Sequence, residues 1–223
     1  MKRVSFIILG IMSFCMSASA QTEQKESKNF WSSLEFNFKS GIGWSTMGKE
    51  SNDFANYSSK SKGGLAFTFI GFEAEYPISN DYGVGVGLEI NKKQHKLEST
   101  YSGLSSASSD FTEKTTYDAY YLSVPFMFHW HNNVFPLSVG LVANIALYGS
   151  KSYKRTGTGL MSVSLDDTSS IKNFNSPVPS LRIGIGDKKF LYGITGEVDF
   201  MLSKNYDNTA FKQYVTTTIF YNY

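Results

Sequence analysis

The stretch Gly71-Phe72-Glu73-Ala74-Glu75-Tyr76-Pro77-Ile78-Ser79-Asn80-Asp81-Tyr82-Gly83-Val84-Gly85-Val86-Gly87-Leu88-Glu89-Ile90 decides the fold. Before Pro77, the residues Phe72, Ala74 and Tyr76 alternate with Gly71, Glu73 and Glu75; after Asp81, Val84, Val86, Leu88 and Ile90 alternate with Gly83, Gly85, Gly87 and Glu89. A two-residue period is that of a β-strand and places every oily side chain on one face, with carboxylates and glycines on the other. Pro77 to Asp81 is a run of turn-forming residues. The stretch therefore reads as a β-hairpin. Gly83-Val84-Gly85-Val86-Gly87 is not a phosphate loop, because it lies inside a strand and no helix follows.

The same alternation recurs in both directions from this hairpin. Upstream, Leu34, Phe36, Phe38, Ile42 and Trp44 share a face opposite Glu35, Asn37, Lys39, Gly41 and Gly43. Downstream, Leu122, Val124, Phe126, Phe128 and Trp130 oppose Tyr121, Ser123, Met127 and His129. Then Leu137, Val139, Leu141, Ala143, Ile145 and Leu147 oppose Ser138, Gly140, Asn144 and Tyr148, and Leu181, Ile183 and Ile185 oppose Arg182, Gly184 and Gly186. Finally Tyr192, Ile194, Val198 and Phe200 oppose Gly193, Thr195, Glu197 and Asp199, and Val215 to Tyr223 alternates in the same way. Eight strands are expected. Their connections alternate in length: Pro77 to Asp81, His131 to Asn133 and Asp187 to Lys189 are short, whereas Ser45 to Gly63, Lys92 to Thr116, Gly149 to Pro177 and Leu202 to Asn208 are longer and polar.

The N-terminus indicates export. Lys2 and Arg3 precede an apolar run from Val4 to Met16, and Ala18-Ser19-Ala20 supplies small residues before Gln21, the pattern of a cleaved signal peptide. That run is about 13 residues long, short of the roughly 20 that span a bilayer. Phe14 before Cys15 argues against a lipoprotein signal. The expected organisation is a leader, residues 1–20, and one domain, residues 21–223. Loss of Lys2 and Arg3 leaves 19 basic against 19 acidic residues, and no basic cluster interleaved with aromatics remains, so nucleic acid is not an expected partner. The single cysteine leaves with the leader, which excludes disulfides and thiolate metal sites.

Magnitude decides which face meets lipid. A Lys or Arg on the lipid face near the bilayer midplane costs about 2–4 kcal/mol, so the ionic face points inward and the oily stripes outward. Glu35, Lys39, Glu73, Glu75, Glu89, Arg182, Glu197, Asp199 and Lys212 become lumenal, with acids in excess. Tyr76, Tyr82, Trp130, Phe135, Tyr192, Tyr221 and Tyr223 gather toward the short turns as an interfacial girdle. The expected fold class is all-β: an eight-stranded antiparallel transmembrane β-barrel of the small outer-membrane type, exported to the outer membrane, with its lipid as one partner. The competing fold is a soluble barrel or sandwich with the faces reversed; the leader, the glycines on the polar face and the one-sided long loops favour the membrane.

Tyr120-Tyr121-Leu122-Ser123-Val124-Pro125 resembles the Tyr-Leu-x-Ile-Pro hallmark of the PorT-like outer-membrane β-barrel proteins, with Val124 in place of the commoner Ile. The Gly71 to Ile90 hairpin is similar to the family's preceding hairpin. Tyr121, Leu122 and Pro125 carry the motif. The resemblance implies an eight-stranded barrel in a Gram-negative outer membrane, and the founding member's association with a protein secretion system suggests, without requiring, a secretion role. Pro125 cannot donate a ladder hydrogen bond, so a bulge or local break is expected there.

An eight-stranded lumen is just wide enough for side chains to fill, so an open pore is not expected. Arg182 is expected to bridge acids of other strands, such as Glu73, Glu89 or Glu197. His129 and His131 share a face but show no third metal ligand, and His95 with Ser99 and Glu98 is the only outer-side material for a catalytic triad. Neither pattern is specific. No catalytic residue, cofactor or metal is assigned, and no enzymatic activity is expected. Three functions remain open, in this order: an interaction or structural barrel meeting a protein partner through surface loops or periplasmic turns, a secretion accessory or narrow conduit, and a lipid-modifying enzyme.

Overall fold

The computed structural model describes residues 30–49, 57–102, 110–132, 134–158, 164–171, 176–186, 193–203 and 211–222. The expected leader, the Asp187 to Lys189 turn, Tyr192 and Tyr223 lie outside them, as does the side chain of Lys212. The chain forms two compact units, Met1–Glu35 and Phe36–Tyr223. In the first, a single 3-10 turn, Phe30–Ser33, is described.

The strands are β1 (Glu35–Lys49), β2 (Tyr57–Pro77), β3 (Tyr82–Tyr101), β4 (Asp110–Trp130), β5 (Leu137–Thr158), β6 (Ser164–Ser170), β7 (Val178–Ile185), β8 (Ile194–Met201) and β9 (Phe211–Asn222). Hydrogen bonding runs β1–β2–β3–β4–β5–β7–β8–β9 and returns to β1, a closed ring of eight strands. Closure removes the sheet edges within the ring, which a strand in lipid requires because no water is there to satisfy free backbone groups. The ninth strand, β6, pairs only with Ser150 to Thr156 of β5 and extends the sheet beyond the ring.

The faces are inverted relative to a soluble protein. Lys39, Glu73, Glu75, Glu89, Arg182, Glu197 and Asp199 are buried, while Phe38, Ile42, Trp44, Leu88, Phe128, Leu141 and Ile219 are exposed. An exposed apolar surface this continuous is the form expected of a face turned toward lipid. Toward the short turns, Tyr76, Tyr82, Trp130, Phe135 and Tyr221 are exposed. Toward the long loops, Trp44, Phe69 and Tyr148 are exposed and Phe69 stacks on Tyr120 at 6.3 Å. From Trp130 up to Tyr120 is ten residue steps on β4. At about 3.4 Å per step and a tilt of about 40°, they rise about 26 Å, the height of an outer-membrane apolar band.

Several expectations need correction. The segments Ser45 to Gly63, Lys92 to Thr116 and Gly149 to Pro177 are largely strand, because β2 to β5 continue well past the apolar band. The period-two pattern shifts at bulges, each adding a residue that turns the following side chains over. The register of β2 against β3 shifts between Thr68 and Ile70, so the inward-facing residues are Ala66 and Thr68 before Phe69 in the chain, and Gly71, Glu73 and Glu75 after it. A second bulge sets Tyr120 and Tyr121 opposite Tyr148 and Ala146, so Tyr148 points outward rather than into the lumen. Glu35 is exposed rather than lumenal. At Pro125 the β3–β4 ladder is interrupted between the Val86–Phe126 and Glu89–Ser123 pairs, with the register unchanged across the gap: a local break, without a bulge.

Candidate functional site

The lumen is filled in layers. At mid-height Arg182 on β7 pairs with Asp199 on β8 (Nε to Oδ1 2.6 Å), with Glu89 on β3 (Nη1 to Oε1 2.6 Å, Nη2 to Oε2 2.9 Å) and with Glu197 on β8 (Nη1 to Oε2 2.9 Å). Lys39 on β1 reaches Glu89 at 2.9 Å and Glu197 at 2.8 Å, and Lys93 on β3 lies 3.4 Å from Asp199. Three cations face three carboxylates, all at most 9% exposed. Isolated charges would be very costly at this depth; an interlocked neutral set is tolerated. The structure thus brings Glu89, Arg182 and Glu197 together and leaves Glu73 elsewhere, beside His129. Lys93 was missed because it lay in a presumed loop; its parity with Glu89 and Asn91 along an uninterrupted β3 is the signal that identifies it.

Neutral polar side chains extend this layer around the wall. Thr68 donates to Asn91 (2.6 Å), Asn91 to Ser123 (2.8 Å), Ser123 to Asn144 (2.7 Å) and Asn144 to Ser180 (2.8 Å). Above it an apolar plug of Ala119, Tyr121, Val178 and Met201, all buried, is flanked by Leu97, Tyr117, Ala146 and Ile171. The motif residue Tyr121 is therefore a plug residue, and the buried Pro125 sits over Gly87, where an added Cβ would lie 3.1 Å from its ring. Leu122 lies half-buried on the opposite face of β4.

At the short-turn mouth, Glu73 and Glu75 on β2 meet His129 on β4 and His131 just past its end: His129 Nε2 is 2.8 Å from Glu73 Oε1, and His131 Nε2 is 2.5 Å from Glu75 Oε1. They meet over β3, whose glycines leave the space. A Cβ on Gly83 would lie 2.0 Å from Glu75 Oε1, and one on Gly85 would lie 2.8 Å from Glu73 Oε1. Gly83 and Gly85 thus make room for the Glu and His side chains.

Beyond the apolar band, β2 to β6 form a projecting sheet. On the face that continues the lumen, Tyr57, Tyr101, Phe111 and Arg155 line up across four strands, with ring separations of 4.9 and 4.3 Å and the guanidinium 3.9 Å from the Phe111 centroid. Burial, and then the Glu113 carboxylate, push the Tyr101 phenol up to about 12. On the other face Glu98 pairs with Lys62 and, at 3.7 Å, with Lys114, and these lysines hold its carboxyl below the usual range. His95 and Ser99 are buried on the lumenal face of β3. The structure therefore does not group His95, Ser99 and Glu98.

A family model described as an outer membrane protein beta-barrel domain matches residues 19–206. No curated protein sequence matches the chain. Among solved structures, the chain is similar to Ail, the attachment invasion locus protein of Yersinia pestis. In its complex with the heparin analogue sucrose octasulfate, identity is 14% over 84% of this chain and 97% of that one, with a TM-score of 0.34. A second Ail structure gives 16% over 85% and 99%, with a TM-score of 0.32. Neisserial surface protein A gives 10% over 85% and 97%, with a TM-score of 0.33.

Proposed function

Because the chain belongs to the outer membrane protein beta-barrel domain family, we propose that it works as a non-enzymatic interaction barrel, anchored by outer-membrane lipid around its apolar band and presenting its projecting sheet to a protein partner outside the cell. The observation that carries this reading is the length of β2 to β5, at 20 to 22 residues each. A spanning strand needs only about 9–11 residues, so the surplus serves something beyond the bilayer. Its lumenal face offers aromatic rings and a guanidinium, the side chains most enriched at protein–protein hot spots. The plug and the ionic layer speak against a conduit.

Site-directed photocrosslinking in intact cells tests this. A photoreactive phenylalanine analogue at Phe111 is expected to give discrete protein adducts, and the same analogue at Phe128 in the apolar band only lipid adducts. Absence of protein adducts at position 111 defeats the interaction reading.

A second reading rests on Tyr121-Leu122-Ser123-Val124-Pro125: PorT-like kinship, with the barrel as a secretion accessory that conducts nothing itself. Support for it is the burial of both Tyr121 and Pro125, which gives the motif a structural task in closing the lumen. Loss of secreted cargo in a deletion strain, restored by the intact gene and not by one with Tyr121→Ala, separates it from the first reading.

A further inference from the structure

The mouth cluster holds two carboxylates in a position where the rest of the lumen places balanced charge. Lys39, higher in the lumen, is engaged by Glu89 and Glu197. Among the described residues, the ion-pair partners of Glu73 and Glu75 are the imidazoles of His129 and His131. One ligand atom each from Glu73, Glu75 and His129 lie within 4.8 Å of one another. A tetrahedral zinc ion with bonds of about 2.0–2.1 Å sets its ligands about 3.4 Å apart, so a contraction of roughly an ångström closes the shell. His129 Nε2 is buried and lies 2.8 Å from Glu73 Oε1, so an imidazole nitrogen and a carboxylate oxygen converge on the same small space. A neutral imidazole nitrogen and two carboxylates gathered this closely are the donor atoms that a cation between them would take.

The local backbone keeps this space open. Gly85 faces both groups, with an added Cβ falling 2.8 Å from Glu73 Oε1 and 3.0 Å from His129 Nε2. Side chains on β2 and β4 thus approach each other across an intervening strand. The histidines are stacked, with ring centroids 5.9 Å apart.

We propose that Glu73, Glu75 and His129 form a binding site for a divalent transition-metal cation of the zinc class at the periplasmic mouth of the barrel, with His131 as a positioning residue that orients Glu75. Imidazole nitrogen with carboxylate oxygen is a donor set for Zn²⁺ and its neighbours rather than for Ca²⁺ or Mg²⁺. Three protein ligands leave one position for water.

The test uses full-length barrel, purified without a histidine tag, folded in detergent and stripped with chelator. Zn²⁺ is titrated in competition with a chromogenic chelator, and Co²⁺ is added separately for its visible spectrum. One equivalent of Zn²⁺ and the intense d–d bands of four- or five-coordinate cobalt are expected. Both disappear in Glu73→Gln and His129→Ala and persist in His95→Ala. Glu73→Gln is nearly isosteric, and the mobility of unboiled protein on gels verifies that it remains folded. His131→Ala is expected to weaken Zn²⁺ by about 10–100-fold, with partial recovery in His131→Gln, which retains a donor for Glu75. Sub-stoichiometric Zn²⁺, a cobalt spectrum no different from the aqua ion, or equal affinity in Glu73→Gln overturns the site and leaves the cluster a plain hydrogen-bonded clamp.

Discussion

Arg182 on β7 holds Glu89 on β3 through two parallel bonds of 2.6 and 2.9 Å, although the two strands are not neighbours in the ring and face each other across the lumen. A bidentate pair of this kind fixes distance and orientation together. It acts as a strut, bracing opposite walls of the cylinder at the level where Lys39, Glu197 and Asp199 complete a neutral set.

Arg182→Ala is expected to leave Glu89 and Asp199 buried without their main counter-charge. Breaking a buried pair by removing one partner costs about 3–5 kcal/mol. The urea midpoint of the folded fraction in detergent, read from unboiled gels, should fall accordingly; an unchanged midpoint rejects the strut.

Leu88 is 51% exposed and lies near the middle of the apolar band on β3. In water, replacing such a residue by arginine is nearly neutral, whereas in lipid it costs about 2–4 kcal/mol. Leu88→Arg should therefore destabilise the barrel reconstituted in bilayers, and a stability equal to that of the parent protein contradicts the lipid-facing assignment.

The seam between β1 and β9 closes the ring, and Gly43 lies on it. A Cβ there would fall 1.9 Å from the Thr217 carbonyl oxygen and 2.6 Å from the Thr218 Cα. Backbone cannot swing aside as a side chain does, so Gly43→Ala should cost about 1–3 kcal/mol and slow ring closure in refolding assays. Gly196 has nothing within 4 Å of its would-be Cβ, and Gly196→Ala should stay within about 0.5 kcal/mol. Equal effects at both positions would mean the seam is looser than described.

Glu113 accepts a 2.6 Å hydrogen bond from Tyr153, which favours the protonated phenol and raises it, and its charge helps raise the Tyr101 phenol, since a nearby negative charge opposes formation of a second one. In Glu113→Gln both should titrate at lower pH, followed by the ring-carbon NMR signals of labelled tyrosine. Tyr101 remains above an ordinary tyrosine because burial is the larger cause of its shift. A Tyr101 titration unmoved by this substitution would show that the carboxylate does not act on it.

Much of the barrel is visible in single residues. Glu73, Glu75, Glu89, Glu197 and Asp199 alternate with oily neighbours, and that alternation with the transfer cost of a charge into lipid is enough to orient those strands. Local pattern carries this information because a strand's period is a property of the backbone itself. Where the register shifts, at Phe69 and near Tyr148, the extra residue depends on pairing with another strand, and no sequence window contains that pairing.

Alternation by itself, with the cost of a charge in lipid, determined an all-β membrane barrel with an ionic lumen. Tertiary structure alone decided which charges meet. Arg182 takes Glu89, Glu197 and Asp199 while Glu73 goes to His129, Lys93 joins from a strand that outruns the membrane, and glycines on β3 let β2 reach β4. The reason is that strand direction is a local property, whereas the distance between residues on opposite walls is set only when the ring closes and its stagger is fixed.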